Sequence, residues 1–332
     1  MNRSLRRALM AVAALLPLPS AAHACACGCS IFDVGQGTLM PEGSVSGFSA
    51  WFRVAYMDQN QNWRGSHKAP AADSHDKQLK TTFYFFGGQY VLSPKWTIMA
   101  ELPIYDRSLT TTDDGTVYGP AGTIFTAHDR ALGDLEMMAT YTGFAADQST
   151  GLGFGVKLPT GDWHGPKGPL GGQAIDRDSL PGTGSTDLMV SGFHVGQIGG
   201  PTGHYSYFVQ AKYQAAIATQ DQYRPGNELD VAVGINDDLG QIGPFSKVMP
   251  VLQLVGSHRD HDSGANADPP NTGYDRVLID PGVAVRIKNL RLDADIGLPL
   301  WQHVHAASGP NFDTSGQLVA GSYLRVQATY EF

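Results

Sequence analysis

Apolar and polar residues alternate with a period of two along most of the chain. The pattern is plainest at the C-terminal end, where Leu324, Val326, Ala328, Tyr330 and Phe332 interleave with Tyr323, Arg325, Gln327, Thr329 and Glu331. Successive side chains of a strand point to opposite faces, so each such segment has an apolar and a polar side. Twelve segments carry the pattern: 45–57, 79–92, 95–105, 133–145, 150–159, 184–197, 203–217, 228–239, 247–257, 277–288, 290–301 and 321–332. In the seventh, Tyr205, Tyr207, Val209, Ala211, Tyr213, Ala215 and Ile217 oppose Ser206, Gln210, Lys212 and Gln214. The fourth sets Leu135, Met137, Ala139 and Tyr141 against Asp134, Glu136 and Thr140. The second, with its aromatic run Phe83 to Phe86, and the ninth leave their register open.

The connections between segments alternate in length. Short ones (Ser93-Pro94, 146–149, 198–202, 240–246, Asn289) separate long ones (58–78, 106–132, 160–183, 218–227, 258–276, 302–320). A transmembrane barrel has short periplasmic turns, long outer loops, an apolar lipid face and a polar lumen. A soluble sandwich explains any single segment but gives no reason for all the long loops to lie at one end. The expected fold is therefore all-β, a transmembrane antiparallel up-and-down β-barrel of about twelve strands over residues 44–332, with both chain ends on the periplasmic side.

Composition sharpens this expectation. Only 16% of the 332 residues are charged, and the formal net charge of −8 gives no reason to invoke nucleic acid. Residues 1–24 carry Arg3, Arg6 and Arg7, an apolar run from Ala8 to Leu18 and Ala22-His23-Ala24, the signature of a cleaved secretory signal peptide. Beyond it no apolar run approaches the roughly 20 residues of a membrane helix. Spanning then requires a closed barrel, which leaves no backbone group unpaired in lipid. The expected location is the bacterial cell outer membrane, with outer-membrane lipid and lipopolysaccharide as surroundings.

Inward positions carry charges of both signs: Arg53, Lys157, Lys212, Arg286, Arg291 and Arg325 against Glu101, Asp134, Glu136, Asp187, Asp230, Asp280, Asp293, Asp295 and Glu331. They read either as a cross-strand ion-pair lattice filling the interior or as the lining of a polar conduit. Eight strands leave room only for side chains and sixteen leave a channel, so twelve predict a narrow or occluded pore. No Gly-x-Ser-x-Gly, His-Glu-x-x-His or phosphate loop is present, and no enzyme activity is expected.

Three stretches, Leu132-Gly133-Asp134-Leu135, the run from Gly153 to Asp162 (GFGVKLPTGD) and the run from Leu180 to Asp187 (LPGTGSTD), resemble repeated signatures of the outer-membrane family named for the MetA pathway of phenol degradation. The resemblance covers roughly residues 45–332 and implies a barrel associated with uptake of aromatic or other apolar compounds. A terminal Phe332 with Tyr330 two residues earlier resembles the signal read by the outer-membrane barrel assembly machinery, an expected partner.

All three cysteines, Cys25, Cys27 and Cys29, fall in a lead of residues 25–43 that lacks a sustained period of two. The lead is expected on the periplasmic side, with entry into the lumen as an option. Three thiolates in five residues suit copper or another soft metal; a local disulfide and a lipid on Cys25 are the competing readings. Haem attachment is disfavoured, because no Cys-x-x-Cys-His occurs. Eight histidines lie in the expected outer loops, most closely grouped as His258 with His261 and His303 with His305, beside Asp260 and Asp262. Imidazole with carboxylate suits divalent ions, although the spacing matches no zinc signature. Three functions follow as expectations: a channel for a small-molecule solute, a barrel whose cysteines bind or deliver a soft metal, and a non-transporting scaffold for a periplasmic partner.

Overall fold

The same alternation organises the computed structural model, which describes residues 35, 47–113, 119–165, 175–200, 203–267, 269–305 and 316–332. The expected signal peptide, Cys25, Cys27 and Cys29 lie outside the described residues.

The strands are β1 (Phe48–Arg64), β2 (His67–Lys68), β3 (Gln78–Ser93), β4 (Trp96–Thr112), β5 (Ile124–Leu132), β6 (Leu135–Tyr141) and β7 (Thr150–Leu158). They continue as β8 (Thr186–Ile198), β9 (Tyr205–Ala218), β10 (Glu228–Asp237), β11 (Lys247–Arg259), β12 (Tyr274–Ile287), β13 (Leu290–Val304) and β14 (Gln317–Glu331). Every pairing along the wall is antiparallel, and β14 returns to β1 with Ser49 opposite Glu331 and Val54 opposite Val326, so the sheet closes on itself. β5 pairs one half of β4 and β6 the other, with Gly133 and Asp134 between them, so the two share one wall position. β2 only folds back on the end of β1. Fourteen strands therefore make a twelve-position wall, the number the alternating segments require.

Several strands are longer than the sequence pattern suggests. β1 runs on to Arg64, β4 to Thr112, β11 to Arg259 and β13 to Val304, so much of what reads as outer loop is paired strand. These ends are mostly polar, with Leu109 and Val304 as buried exceptions, so the apolar–polar period of two fades, yet their backbone groups still need partners and the neighbouring strand supplies them.

Outward positions carry Phe52, Phe86, Leu188, Val209, Ile235, Leu254, Ile296 and Leu324, all exposed. At the end of the short turns Phe48, Tyr90, Trp96, Phe144, Tyr205 and Phe332 form an exposed aromatic ring, with the Phe48 and Phe332 centroids 5.4 Å apart and those of Trp96 and Tyr141 5.0 Å apart. Tyr56, Tyr213 and Trp301 are exposed nearer the other end. On β1 and β9 the two aromatic levels are eight residues apart, roughly 27 Å along a strand and about 20 Å along the axis of a tilted one. That matches the apolar band of a membrane barrel, about 25 Å tall between aromatic girdles.

The interior is less uniformly polar than the alternation implies. Phe83 and Phe85 point inward while Phe86 points outward, which fixes the register left open for the second segment. In the ninth, Val251, Gln253 and Val255 face in and Leu252 and Leu254 face out. Phe83, Phe85, Phe208, Val251, Val255, Tyr274 and Tyr323 belong to one buried apolar cluster inside the barrel. Gly35 also lies inside: its N–H donates to Gln210 Oε1 at 2.8 Å, and a Cβ added to it would come 2.6 Å from Gln253 Oε1. Gln210 and Gln253 are both inward and buried, so at this residue the lead is in the lumen, the option that the sequence left open.

Candidate functional site in the barrel lumen

β4, β6, β7 and β8 are adjacent and present their inward residues in matched tiers. Nearest the turns, Thr97 faces Thr140, Thr140 faces Gly153, and Gly153 faces Ser191. Two residues further, Met99, Met138, Gly155 and Met189 share a level. Two further still stand Glu101, Glu136, Lys157 and Asp187.

This last tier is a charged belt. Glu101 and Glu136 are direct cross-strand neighbours, a repulsive arrangement by itself. Each is neutralised by a cation from elsewhere on the wall: Arg53 lies 2.5 Å from Glu101 and Lys212 3.1 Å from Glu136. Arg53 reaches across β3, and Lys212 reaches from β9 to β6, so both ties cross the interior. Trp51 Nε1 adds a hydrogen bond of 2.5 Å to Glu101, and the Arg53 guanidinium stacks 4.1 Å from the centre of the Phe85 ring. Lys157 bridges Asp187 at 2.8 Å and Asp134 at 3.5 Å, and Asp187 also accepts from Ser185 and Gln214.

Most of the other expected lining residues form a second group on β12, β13 and β14. Arg325 pairs with Asp295 at 2.9 Å, Arg291 with Asp293 at 2.8 Å, and Arg286 with Glu331 at 2.7 Å. Asp280 is buried and accepts a hydrogen bond from the Tyr323 hydroxyl, and Asp230 is buried opposite Lys212. Most of these residues face inward, and many of them pair there.

The three motif stretches meet at Asp134. Its carboxylate accepts from the Gly161 N–H at 3.0 Å, the Thr183 N–H at 2.9 Å and the Thr183 hydroxyl at 2.6 Å. Backbone bonds from Asp162 to Leu132 and from Gly182 to Asp162 complete the knot. Gly161 and Gly182 touch through their backbones; a Cβ on Gly182 would come within 2.4 Å of Gly161 C, and one on Gly161 within 2.7 Å of Gly182 Cα. Glycine is needed at both positions for that close approach.

The knot turns the segment after Ile175 into the barrel instead of away from it. Ile175 and Leu180 are buried with Leu79, Leu109, Ala127 and Leu318. Arg107 donates to the Ser179 carbonyl, Arg177 to the Thr183 carbonyl at 2.6 Å, and the Arg177 guanidinium stacks 4.2 Å from the Tyr223 ring centre. Burial pushes the Tyr223 phenol well above its ordinary range, with the Asp262 charge adding to the effect, so it stays a neutral donor to Asp262 at 2.6 Å. Between this segment and the charged belt lies a chamber of about 120 Å³ lined by Phe85, Glu101, Tyr105, Arg107, Lys212 and Tyr223, among others. Sequence reasoning missed Arg107, Arg177 and Tyr223. The first sits at a period-two inward position of a longer β4, and the other two stand in connections that carry no period.

At the loop end β11, β12 and β13 bring together the four histidines singled out from the sequence. His258 is 2.6 Å and His305 3.1 Å from the Asp275 carboxylate, and His258 is 3.3 Å from Asp260. The His305 ring centre lies 4.8 Å from that of His261 and 5.7 Å from that of His303. Among the described residues no group of three His, Cys, Asp or Glu is disposed to hold a metal ion. Tyr330 and Phe332 are exposed on the outer wall at the turn end.

The fold is similar to that of an outer membrane channel from Pseudomonas putida F1, with a TM-score of 0.61, 12% identity, and alignment over 91% of this chain and 100% of that one. A FadL homologue from Pseudomonas aeruginosa aligns over 87% of this chain and 91% of its own, with 11% identity and a TM-score of 0.45. No family model matches the chain, and neither does any curated protein. The resemblance to the phenol-degradation family rests on its motifs alone.

Proposed function

We propose that this chain is an outer-membrane channel for small solutes, narrowed by the inward-folded segment around 175–183. The observation that carries the proposal is the pairing of an exposed apolar band between aromatic levels with a charged, chambered interior. Exposed apolar area of this extent is not tolerated in water, whereas lipid and lipopolysaccharide would cover it. Phe332 and Tyr330 are exposed on the outer wall, where the barrel assembly machinery could read them. Carboxylates and cations line a chamber of about 120 Å³, which suits a compact polar solute better than the aromatic or apolar compounds implied by the motif resemblance.

Reconstitution in planar bilayers tests this. The wild-type barrel should give small, discrete conductance steps, and removal of residues 176–181 should enlarge them. A sealed barrel, with no steps and no solute flux into liposomes, would sink the channel reading. It would favour the scaffold, for which the buried apolar cluster and Gly35 between Gln210 and Gln253 already speak.

A further inference from the structure

The tier below the charged belt has chemistry the channel reading does not use. Met99, Met138 and Met189 are 7%, 4% and 0% exposed and pack against one another and against Trp51. They come from three different strands and share one level, because Met99 pairs with Met138, and Gly155 pairs with both Met138 and Met189. The facing glycines leave room that the methionine side chains themselves occupy. A Cβ on Gly153 would lie 2.8 Å from Met138 Sδ, and one on Gly155 would lie 2.9 Å from the Met189 methyl. The Ser191 hydroxyl donates to Met138 Sδ at 3.2 Å, so one of the two lone pairs of this sulfur already serves as an acceptor and the other is left.

Met57 aside, the other buried apolar residues among the described ones are Leu, Val, Ile, Ala and aromatics, so three of the four buried methionines gather in this one tier. Three thioethers at one level, shielded from lipid by the wall and next to a belt of carboxylates, form a ligand set for a soft cation. The indole of Trp51 adds a π face that favours positive charge.

We infer that Met99, Met138 and Met189 form an intralumenal site for a soft monovalent cation, Cu(I) or its analogue Ag(I). The inference is independent of the channel reading, since a closed barrel can hold such an ion equally well. It is also separate from the cysteines at 25, 27 and 29, which must be removed to see it. A thioether has no proton to lose, so binding here should be nearly independent of pH, unlike binding by thiolate or imidazole.

The experiment titrates the full-length mature barrel carrying C25S, C27S and C29S with Cu(I), under reducing conditions and against a chromophoric Cu(I) chelator, at pH 5 and pH 7.5. The expected result is one bound Cu(I) with an affinity that changes by no more than about twofold between the two pH values. The bound ion should show a sulfur shell in X-ray absorption. Adding M99L, M138L and M189L, which conserve volume, should abolish binding. The inference is overturned if the cysteine-free barrel binds no Cu(I), if the leucine variant binds as much, or if the absorption spectrum shows only nitrogen or oxygen neighbours. The spectrum of the cysteine-free protein decides the matter even if the leucine variant does not fold. Loss of conductance in bilayers has no bearing on any of these outcomes.

Discussion

At the scale of single residues the lumen is governed by desolvation. Lys157 is buried between Asp134 and Asp187, and removing one member of a buried ion-pair group leaves charge uncompensated, at a cost of about 3–5 kcal/mol. K157M should therefore lower the unfolding midpoint in detergent sharply, while K157M combined with D187N should recover part of the loss; equal midpoints for wild type and K157M would refute this. In the outer connections Asp76 is buried, and burial together with the charges of Asp176 and Asp178 pushes its carboxyl well above the ordinary range. A pKa raised in the folded state means that stability is greatest when the group is protonated and falls as pH rises through the folded pKa. D76N removes that loss, so its melting temperature should exceed that of the wild type by a margin that grows with pH above about 4. A margin constant with pH would show that Asp76 titrates as it does in the unfolded chain. Residue identity made both sites visible as charges. It gave no hint that Asp134, Lys157 and Asp187 form one group, because their neighbourhood depends on how three strands are placed side by side.

At the scale of elements the inward segment is held by a contact between two glycines. G161A or G182A would drive a methyl group into the opposing backbone, and neither side can yield without breaking the bonds at Asp134. Either variant should leave the barrel folded, with its gel mobility unchanged, while making residues 175–183 susceptible to protease and raising conductance. Unchanged protease resistance would mean that the segment is held by other contacts. The strands themselves were legible. The alternation placed all twelve wall positions, and the faces of the fourth and seventh segments agree with the burial of Met137 against Thr140 and of Val209 against Gln210. The inward fold of 175–183 was not legible, because a connection without a period carries no information about which side of the wall it will cover.

At the scale of the whole molecule the lipid band sets the energetics of the outer wall. Val326 is 45% exposed there and its neighbour Gln327, on the inner face, is 5% exposed. V326K should destabilise the folded barrel in lipid vesicles by somewhat less than the roughly 2–4 kcal/mol of a lysine at the bilayer midplane, because Val326 stands level with Val54, between the middle of the band and the Tyr56 level. Q327N should cost less, because it keeps an amide in the lumen. Chemical unfolding in vesicles compares the two, and similar costs would argue that lipid does not cover the outer wall.

By itself the sequence determined the class of fold, the number of wall positions, the inner and outer face of most strands and most of the charged residues that face the interior. These follow from a local rule, the reversal of direction at each successive side chain. Only the tertiary structure decided what meets inside. The three motif stretches converge on Asp134, the four histidines gather around Asp275, Gly35 enters the lumen, and three methionines from separate strands share one level. Such meetings depend on the stagger between strands and on the curvature that closes the sheet. Stagger and curvature relate residues up to hundreds of positions apart, and a period of two says nothing about them.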